Sequence, residues 1–211
     1  MSRIAARLEE QQRAWRERRL QKGYPYLYYL YLDAMYLKVN WGASVTSMAL
    51  LTSVGVDEEG FREVLAIEVA GGEKSAAYAS LLRSLLERGL SGVRLVISDD
   101  HEGIKAAVFG ELPGVDWQRC VVHFERNVLA HVPANAMSEV AEDLKAIFKV
   151  RWEKTAKALA EEFVELYGKR YPKAVSVFEA RMEDALTYLH YRARATPGYG
   201  RRTCWSGSSR R

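Results

Sequence analysis

Two aspartates lie in or directly after apolar runs that are typical of β-strands. Asp33 lies within YLYLDAMYL, and Asp99 follows GVRLVIS. A carboxylate among apolar strand residues is costly unless it is paired or binds a metal ion. The carboxyl end of a buried strand is also where α/β folds bind their ligands. Two such carboxylates on adjacent strands could share a divalent cation, and oxygen-only ligation suits Mg²⁺ or Mn²⁺ rather than zinc.

Helix capping is the other interpretation of the acids after the strand. Aspartate is among the preferred N-cap residues, and DDHEGI is typical of a cap followed by a short helix. For Asp99 taken alone, capping is the more frequent role. Asp33 lies inside a strand, so capping does not explain it. We predict that Asp100 is the cap rather than a ligand.

The motif RCVVHFERN places Cys120 and His123 at C-x-x-H spacing, which is half of a tetrahedral zinc site. The remaining histidines, His101, His131 and His190, are not accompanied by a second cysteine at such spacing. We therefore predict a structural role for this pair, near the start of a helix and without zinc. A nucleophile and base three residues apart at a helix start is the weaker alternative.

Polar residues of the same motif could contact DNA. Arg119, Arg126 and Asn127 have side chains that bind phosphate oxygens in protein–DNA complexes. The alternative is that they lie on a solvated face. The sequence alone leaves both interpretations open.

The elements that must position these residues follow from the hydrophobic pattern. Strand candidates lie at residues 28–36, 43–56 and 62–71, and the short loops between them predict hairpins. A helix ending near Gly89, the strand before Asp99, a short helix at 102–109 and a fifth strand come next. Residues 134–191 are predicted to be helical, with a break at YGKRYP. The order βββ–α–β–α–β–α predicts a mixed sheet with helices on its faces.

Composition sets wider bounds on the class of protein. The 211 residues carry 31 Lys and Arg against 27 Asp and Glu, which is compatible with a nucleic-acid partner but weak as an argument for one. Two cysteines do not make a disulfide framework, so we expect a reducing, cytoplasmic compartment. No stretch is long and apolar enough to span a membrane, and the charged N-terminus fits no signal peptide.

Three segments together resemble the mutator-type bacterial insertion-sequence transposases. They are YPYLYYLYLDAMYLKV, GVRLVISDDHEGIKAAV and WQRCVVHFERNVLAHVP, and they occur in the family's order. The resemblance implies an α/β fold of the ribonuclease-H-like class. Such a fold has a mixed sheet (three antiparallel strands, then parallel strands), flanking helices and a helical insertion. It also implies that DNA is the partner, that the intact protein forms homo-oligomers and that it works at the nucleoid.

The resemblance also implies a mechanism and assigns residues to it. Carried over residue by residue, Asp33 matches the family's first catalytic acid and Asp99 its second, while the C-x-x-H signature falls on Cys120 and His123. The implied reaction is two-metal phosphoryl transfer with Mg²⁺ or Mn²⁺, which cuts and rejoins DNA. Asp33 would bridge both ions, Asp99 would hold one, and a glutamate on a late helix would complete the ligand set.

That glutamate has no match near the C-terminus. Family members continue past ALTYL with Thr-Thr-Asn and then Glu-Arg, whereas this chain has HYRARATPGYGRRTCWSGSSRR. Permitted codons read in a shifted frame restore Thr-Thr-Asn-Leu-Leu-Glu-Arg, so we expect residues 192–211 to be an out-of-frame, disordered tail. A natural basic tail with affinity for DNA is the alternative. The other predicted divisions are a linker helix at 1–22, left from an absent N-terminal DNA-binding region, a catalytic core at 23–132 and a helical insertion at 133–191.

Three functions follow from these residues. The first is a DDE transposase, in a copy made defective by the missing glutamate. The second is a non-catalytic, DNA-binding remnant that inhibits intact transposase by mixed assembly. The third is a ribonuclease-H-like nuclease that takes its third acid from elsewhere, such as Glu125 or Glu179.

Overall fold

The computed structural model describes residues 3–20, 29–41, 44–56, 61–71 and 75–192. The elements in chain order are α1 (Arg3–Glu17), β1 (Tyr29–Trp41), β2 (Ser44–Val56), β3 (Arg62–Ala70), α2 (Ser75–Glu87), β4 (Leu95–Ser98), α3 (Glu102–Glu111), β5 (Asp116–Arg119), α4 (Val121–Leu129), α5 (Met137–Lys149), α6 (Glu153–Tyr167), α7 (Pro172–Arg181), a 3₁₀ turn (Glu183–Ala185) and α8 (Leu189–Arg192). The predicted order βββ–α–β–α–β–α is confirmed.

In the described part of the chain, five strands form one mixed sheet in the order β3-β2-β1-β4-β5. The β1–β2 and β2–β3 pairs are antiparallel, and the β1–β4 pair is parallel. The parallel pair follows a crossover through α2, as parallel strands require. This is the arrangement of antiparallel and then parallel strands, with flanking helices, that the ribonuclease-H-like resemblance implied.

Strand β1 is longer than its sequence predicts. The expected end was near residue 36 and a loop was expected at 40–42, but β1 and β2 stay in register as far as the pair Trp41↔Ser44. Only two residues then connect the strands, which is the shortest common hairpin connection. Trp41 is therefore part of the ladder, and the two connecting residues lie outside the described ones.

Contacts divide the chain into two compact units, Met1–Asp116 and Trp117–Arg211. The sequence placed the boundary near residue 132 instead. The structure thus groups α4 with the helices that follow it. The functional division into catalytic core and insertion stays a prediction.

The core of the first unit lies between one face of the sheet and helices α2 and α3. Alternate strand residues Leu30, Leu32 and Val96 pack there with leucines of α2. The predicted cap of α2 is confirmed, because Gly89 adopts φ 101°, its amide donates to the carbonyl of Leu86 at 2.9 Å, and the amide of Leu90 donates to the carbonyl of Leu85 at 2.9 Å. These two bonds to the helix end form a left-handed capping motif that glycine accommodates without strain.

Helix α1 confirms the helix predicted at the start of the chain, and it buries none of its residues. The segment after it is attached to the sheet. Arg18 donates to the carbonyl of Val64 at 2.8 Å and pairs with Glu63 at 2.8 Å, and Leu20 is buried in the core. The helix thus lies at the surface while the residues after it hold it to the first unit.

The second unit is built on a separate, aromatic-rich core. The rings of Phe163 and Phe178 lie 4.7 Å apart between centroids, and Phe124 lies 5.9 Å from Phe178. The predicted break at YGKRYP is confirmed between α6 and α7. A second break, at residues 150–152 between α5 and α6, was not predicted.

Two expectations concern other parts of the chain. Residues 193–211, which hold nearly all of the predicted out-of-frame tail, lie outside the described residues. Among the helices that are described, none has the length and apolar character needed to cross a membrane.

Candidate active site

Asp33 and Asp99 lie at the same level of two neighbouring parallel strands. The β1–β4 ladder pairs Tyr29 with Leu95 and Tyr31 with Ile97. Asp33 lies two residues beyond Tyr31, and Asp99 two residues beyond Ile97. Since side chains alternate between the faces of a sheet, both aspartates belong to the same face. Asp99 directly follows the last residue of β4, and neighbouring strands lie about 4.8 Å apart, so continuing the register by two residues predicts that the two carboxylates lie near each other.

The face that carries the aspartates is the one opposite the α2–α3 core. Leu30 and Leu32 of β1 point into that core, so Asp33, one residue further on, points away from it. Asp33 and Asp99 are both half-buried. Such burial weakens the screening of their charge by water while leaving part of each side chain accessible.

The two carboxylates differ in their hydrogen bonding. Asp33 Oδ1 accepts from the amide of Ala34 at 3.0 Å, and Thr52 Oγ1 donates to the backbone carbonyl of Asp33 at 3.3 Å. Asp99 Oδ1 is buried and accepts no hydrogen bond from any described residue. A buried carboxylate oxygen without a donor is destabilising, and a cation would supply the missing interaction. Oxygen ligands of this kind fit Mg²⁺ or Mn²⁺.

Neither aspartate after β4 caps helix α3, so the prediction that Asp100 is the cap was wrong. The N-cap is His101, whose Nδ1 accepts from the amide of Gly103 at 3.2 Å. Asp100 instead pairs with Lys105 at 2.7 Å. Hydrogen bonds from Lys105 to Asp100 and Glu102 raise the pKa of the Lys105 ammonium, so this cation stays charged. Asp99 is therefore not the N-cap of α3.

Gly103 lies in a crowded cap, where a larger residue would have to displace its neighbours by a few tenths of an ångström. A Cβ on Gly103 would lie 3.0 Å from Cε1 of His101 and 3.1 Å from the amide nitrogen of Ser75. The His-x-Gly pair is therefore a packing unit that starts α3 directly after the second aspartate. Sequence reasoning noted these residues but did not identify the cap, because histidine is not among the strongly preferred N-cap types.

The C-x-x-H pair lies at the start of α4, where the sequence placed it. Cys120 is the N-cap residue, makes no side-chain capping bond and forms no disulfide with a described residue, and His123 lies in the first turn. Within the ranges that the structure describes, no group of three or more His, Cys, Asp and Glu side chains could hold a metal ion. The role of Asp33 and Asp99 as metal ligands stays a prediction. The structural, zinc-free role of Cys120 and His123 stays a prediction.

The three residues predicted to contact phosphate differ in accessibility. Arg119 is only 5% exposed, and its guanidinium lies 5.3 Å from the centroid of the Phe124 ring. Arg126 and Asn127 are exposed on α4. The structure thus leaves Arg126 and Asn127 accessible to a ligand, whereas the burial of Arg119 disfavours a phosphate contact.

The two alternative third acids both belong to the second unit. Glu125 is half-buried on α4, and burial raises the pKa of its carboxyl, while the charges of Lys145 and Lys149 act in the opposite direction. Glu179 is exposed on α7. Neither has a feature that assigns it to the aspartate pair.

Residues 1–204 match the family model described as Transposase, Mutator family. The chain belongs to this family. Among its relatives in the Mutator family, the transposase for insertion sequence element ISRM5 of Rhizobium meliloti is 39% identical over 189 residues, which are 90% of this chain and 47% of that protein. The transposase for IS406 of Burkholderia multivorans is 40% identical over 92% of this chain and 49% of its own length. The chain spans about half the length of these curated relatives.

A third relative and a solved structure are less similar to this chain. The transposase for IS256 in transposon Tn4001 of Staphylococcus aureus is 32% identical over 89% of this chain and 48% of its own length. A structure of the HTLV-2 integrase catalytic core domain in complex with magnesium is 12% identical, covering 56% of this chain and 84% of that one. The TM-score between the two structures is 0.33.

Proposed function

We propose that this chain holds the first two catalytic acids of a Mutator-family transposase and that these are Asp33 and Asp99. One observation carries the proposal. Asp33 and Asp99 each lie two residues beyond the Tyr31↔Ile97 pair of the parallel β1–β4 ladder, and Asp99 Oδ1 is buried without a hydrogen-bond donor among the described residues. The family membership of the chain supports the same conclusion. The reaction is metal-dependent cleavage and strand transfer of DNA at the ends of an insertion element.

Asp33 and Asp99 would hold Mg²⁺ or Mn²⁺ through their oxygens. The ion would stabilise the charge that develops on the phosphate and lower the pKa of an attacking water or hydroxyl. The chain would hold these two carboxylates in position. The ladder between β1 and β4 sets their separation, and the amide of Ala34 orients the Asp33 carboxylate. Lys105 neutralises Asp100, which leaves Asp99 as the acid with an unsatisfied oxygen.

The third ligand remains unassigned, and we propose that this chain does not complete strand transfer. Residues 192–211 contain six arginines and no Asp or Glu. A pair of divalent ions held by only two carboxylates lacks part of the negative charge that stabilises the transition state. We propose that the DNA partner is the element's ends and its target, bound by a homo-oligomer.

Metal binding tests the site without requiring activity. The chain is titrated with Mn²⁺ and free Mn²⁺ is followed by electron paramagnetic resonance. We expect binding that weakens at least tenfold in Asp33→Asn and in Asp99→Asn, because each change removes a charged ligand. Asp116→Asn removes an exposed carboxylate of the same unit and should bind as the unchanged chain does. Equal binding by all four proteins would refute the assignment.

Localised cleavage of the chain gives a second readout of the same site. Fe²⁺ replaces Mn²⁺, and hydrogen peroxide with ascorbate generates radicals that cut the nearby backbone. The cuts should cluster beside residues 33 and 99 and disappear in Asp99→Asn. Cuts elsewhere, unaffected by that change, would place the metal at another site.

A strand-transfer assay tests the proposed defect. The chain is incubated with Mg²⁺ or Mn²⁺ and DNA that carries the ends of its own element. We expect no joined product. Joining that disappears in Asp33→Ala would show that the catalytic set is complete and that the proposed defect does not exist.

A further inference from the structure

The connection between α5 and α6 exposes a tryptophan among cationic side chains. Trp152 is 67% exposed, and Lys149, Arg151 and Lys154 beside it are also exposed. These four side chains, within residues 149–154, are called the α5–α6 corner below. A single exposed apolar residue is ordinary in any protein. Trp152 differs from such a residue in the positive charge that surrounds it.

Charge in this region is strongly one-sided. Residues 145–157 hold five basic side chains (Lys145, Lys149, Arg151, Lys154 and Lys157) and one acidic side chain, Glu153, so the segment alone has the +4 net charge of the whole chain. Glu153 pairs with Lys157 at 2.8 Å, and this pair lowers the pKa of the Glu153 carboxyl. The remaining cations therefore face little opposing charge within their own segment.

The backbone beneath the corner is held in place. Ile147 and Ala156, on either side of the connection, are fully buried in the core of the second unit. The hydroxyl of Tyr188 donates to the carbonyl of Phe148 at 2.8 Å, which holds the last turn of α5. Trp152 and its cations are consequently presented outward from a fixed support, which lowers the entropy lost on binding.

The side chain that carries the indole is 67% exposed. The guanidinium carbon of Arg151 lies 6.0 Å from the centroid of the Trp152 ring, on the outer limit of a cation–π contact. An exposed indole flanked by cations has the two components of single-strand binding, a ring on which an unpaired base stacks and charges that follow the phosphates.

We propose that the α5–α6 corner binds single-stranded DNA, with an unpaired base stacked on Trp152 and phosphates held by Lys149, Arg151 and Lys154. The choice of DNA as the partner rests on the proposed function of the chain. The unpaired form is chosen because stacked and paired bases in a duplex do not offer their faces to an indole. The corner needs neither metal nor the two aspartates, so it can be tested separately from the catalytic proposal.

Binding to a labelled oligothymidylate of about 15 nucleotides, followed by fluorescence anisotropy in EDTA, tests the stacking. Trp152→Ala should weaken binding about tenfold, and Trp152→Phe should restore most of it, because stacking on an aromatic ring contributes that much per base. Binding to the matching duplex should change little in either variant. Because Trp152 is exposed, thermal unfolding of both variants should match that of the unchanged chain, which serves as the folding control.

A matched pair of triple variants tests the charges. One replaces Lys149, Arg151 and Lys154 by glutamine, and the control replaces Lys169, Arg170 and Lys173, which are three exposed cations of the same unit near another aromatic residue. The corner variant should reduce the slope of log Kd against log salt by about 2, since each single-strand phosphate contact contributes about 0.7. The control should reduce it less.

Photocrosslinking locates the contact directly. An oligonucleotide that carries 5-iodouracil should attach to a peptide containing Trp152 in the unchanged chain. The proposal is overturned if Trp152→Ala binds single strands as before, or if the two triple variants behave alike. It is also overturned if duplex binding falls as much as single-strand binding, or if Trp152→Ala affects only binding to anionic phospholipid vesicles.

Discussion

At the residue scale, the carboxylate of Asp99 destabilises the folded state. One of its oxygens is buried without a donor, so replacing the charge by an amide should stabilise the protein when metal is absent. We expect Asp99→Asn to raise the melting temperature in EDTA and to lose the increase that Mg²⁺ gives the unchanged chain. Differential scanning fluorimetry with and without Mg²⁺ measures both effects. A lower melting temperature in EDTA would show that the carboxylate serves the fold rather than a ligand.

Glu125 gives a pH-dependent prediction. Burial raises the pKa of its carboxyl, so the folded state binds this proton more tightly than the unfolded state does. The resulting stability is present below the unfolded pKa of about 4.3 and is lost as the pH rises through the folded pKa. Glu125→Gln should therefore raise the melting temperature at neutral pH, and the difference should vanish near pH 4.

The exposed Glu179 supplies the control for this measurement. Glu179→Gln should leave the melting temperature nearly unchanged at either pH, because this side chain is exposed and its substitution leaves no buried charge or cavity. If Glu125→Gln stabilised the chain equally at neutral and acidic pH, its effect would come from packing rather than from the buried charge.

At the element scale, the start of α3 depends on His101. Its Nδ1 satisfies one of the helix amides that otherwise has no partner. We expect His101→Ala to lower the free energy of unfolding by about 1 kcal/mol and His101→Asn to recover most of this, because asparagine is a strong N-cap. Chemical denaturation followed by circular dichroism measures both. Equal loss in the two variants would show that the ring's packing, and not its acceptor nitrogen, is what matters.

The sequence was sufficient for the elements whose pattern is local. The apolar run before Asp99, the aromatic run around Asp33 and the glycine that ends α2 each predicted their element correctly. The sequence was not sufficient where contacts with a distant part of the chain determine the role of a residue. The sequence favoured Asp100 as the cap, but its carboxylate pairs with Lys105 instead. It also favoured a loop at Trp41, but this residue pairs with β2. The register between Asp33 and Asp99 also depends on pairing between distant segments, which no local pattern determines.

At the scale of the whole molecule, the described residues form two hydrophobic cores that share no residue. Leu82 is fully buried in the first and Phe178 in the second. Leu82→Ala should cost about 2–5 kcal/mol and Phe178→Ala about 3–5 kcal/mol. Hydrogen exchange followed by mass spectrometry should show each loss of protection mainly within the unit that carries the change. Uniform loss across both units in either variant would show that they unfold as one.

The parallel pairing of β1 with β4 has a kinetic consequence. The meander of β1, β2 and β3 joins neighbours in sequence, but β4 reaches β1 only after the chain has passed through β2, β3 and α2. Loop closure over that length is slow relative to the local hairpins. The two carboxylates therefore come together late, after most of the first unit has folded. A metal ion held there would slow unfolding and leave the rate of folding almost unchanged.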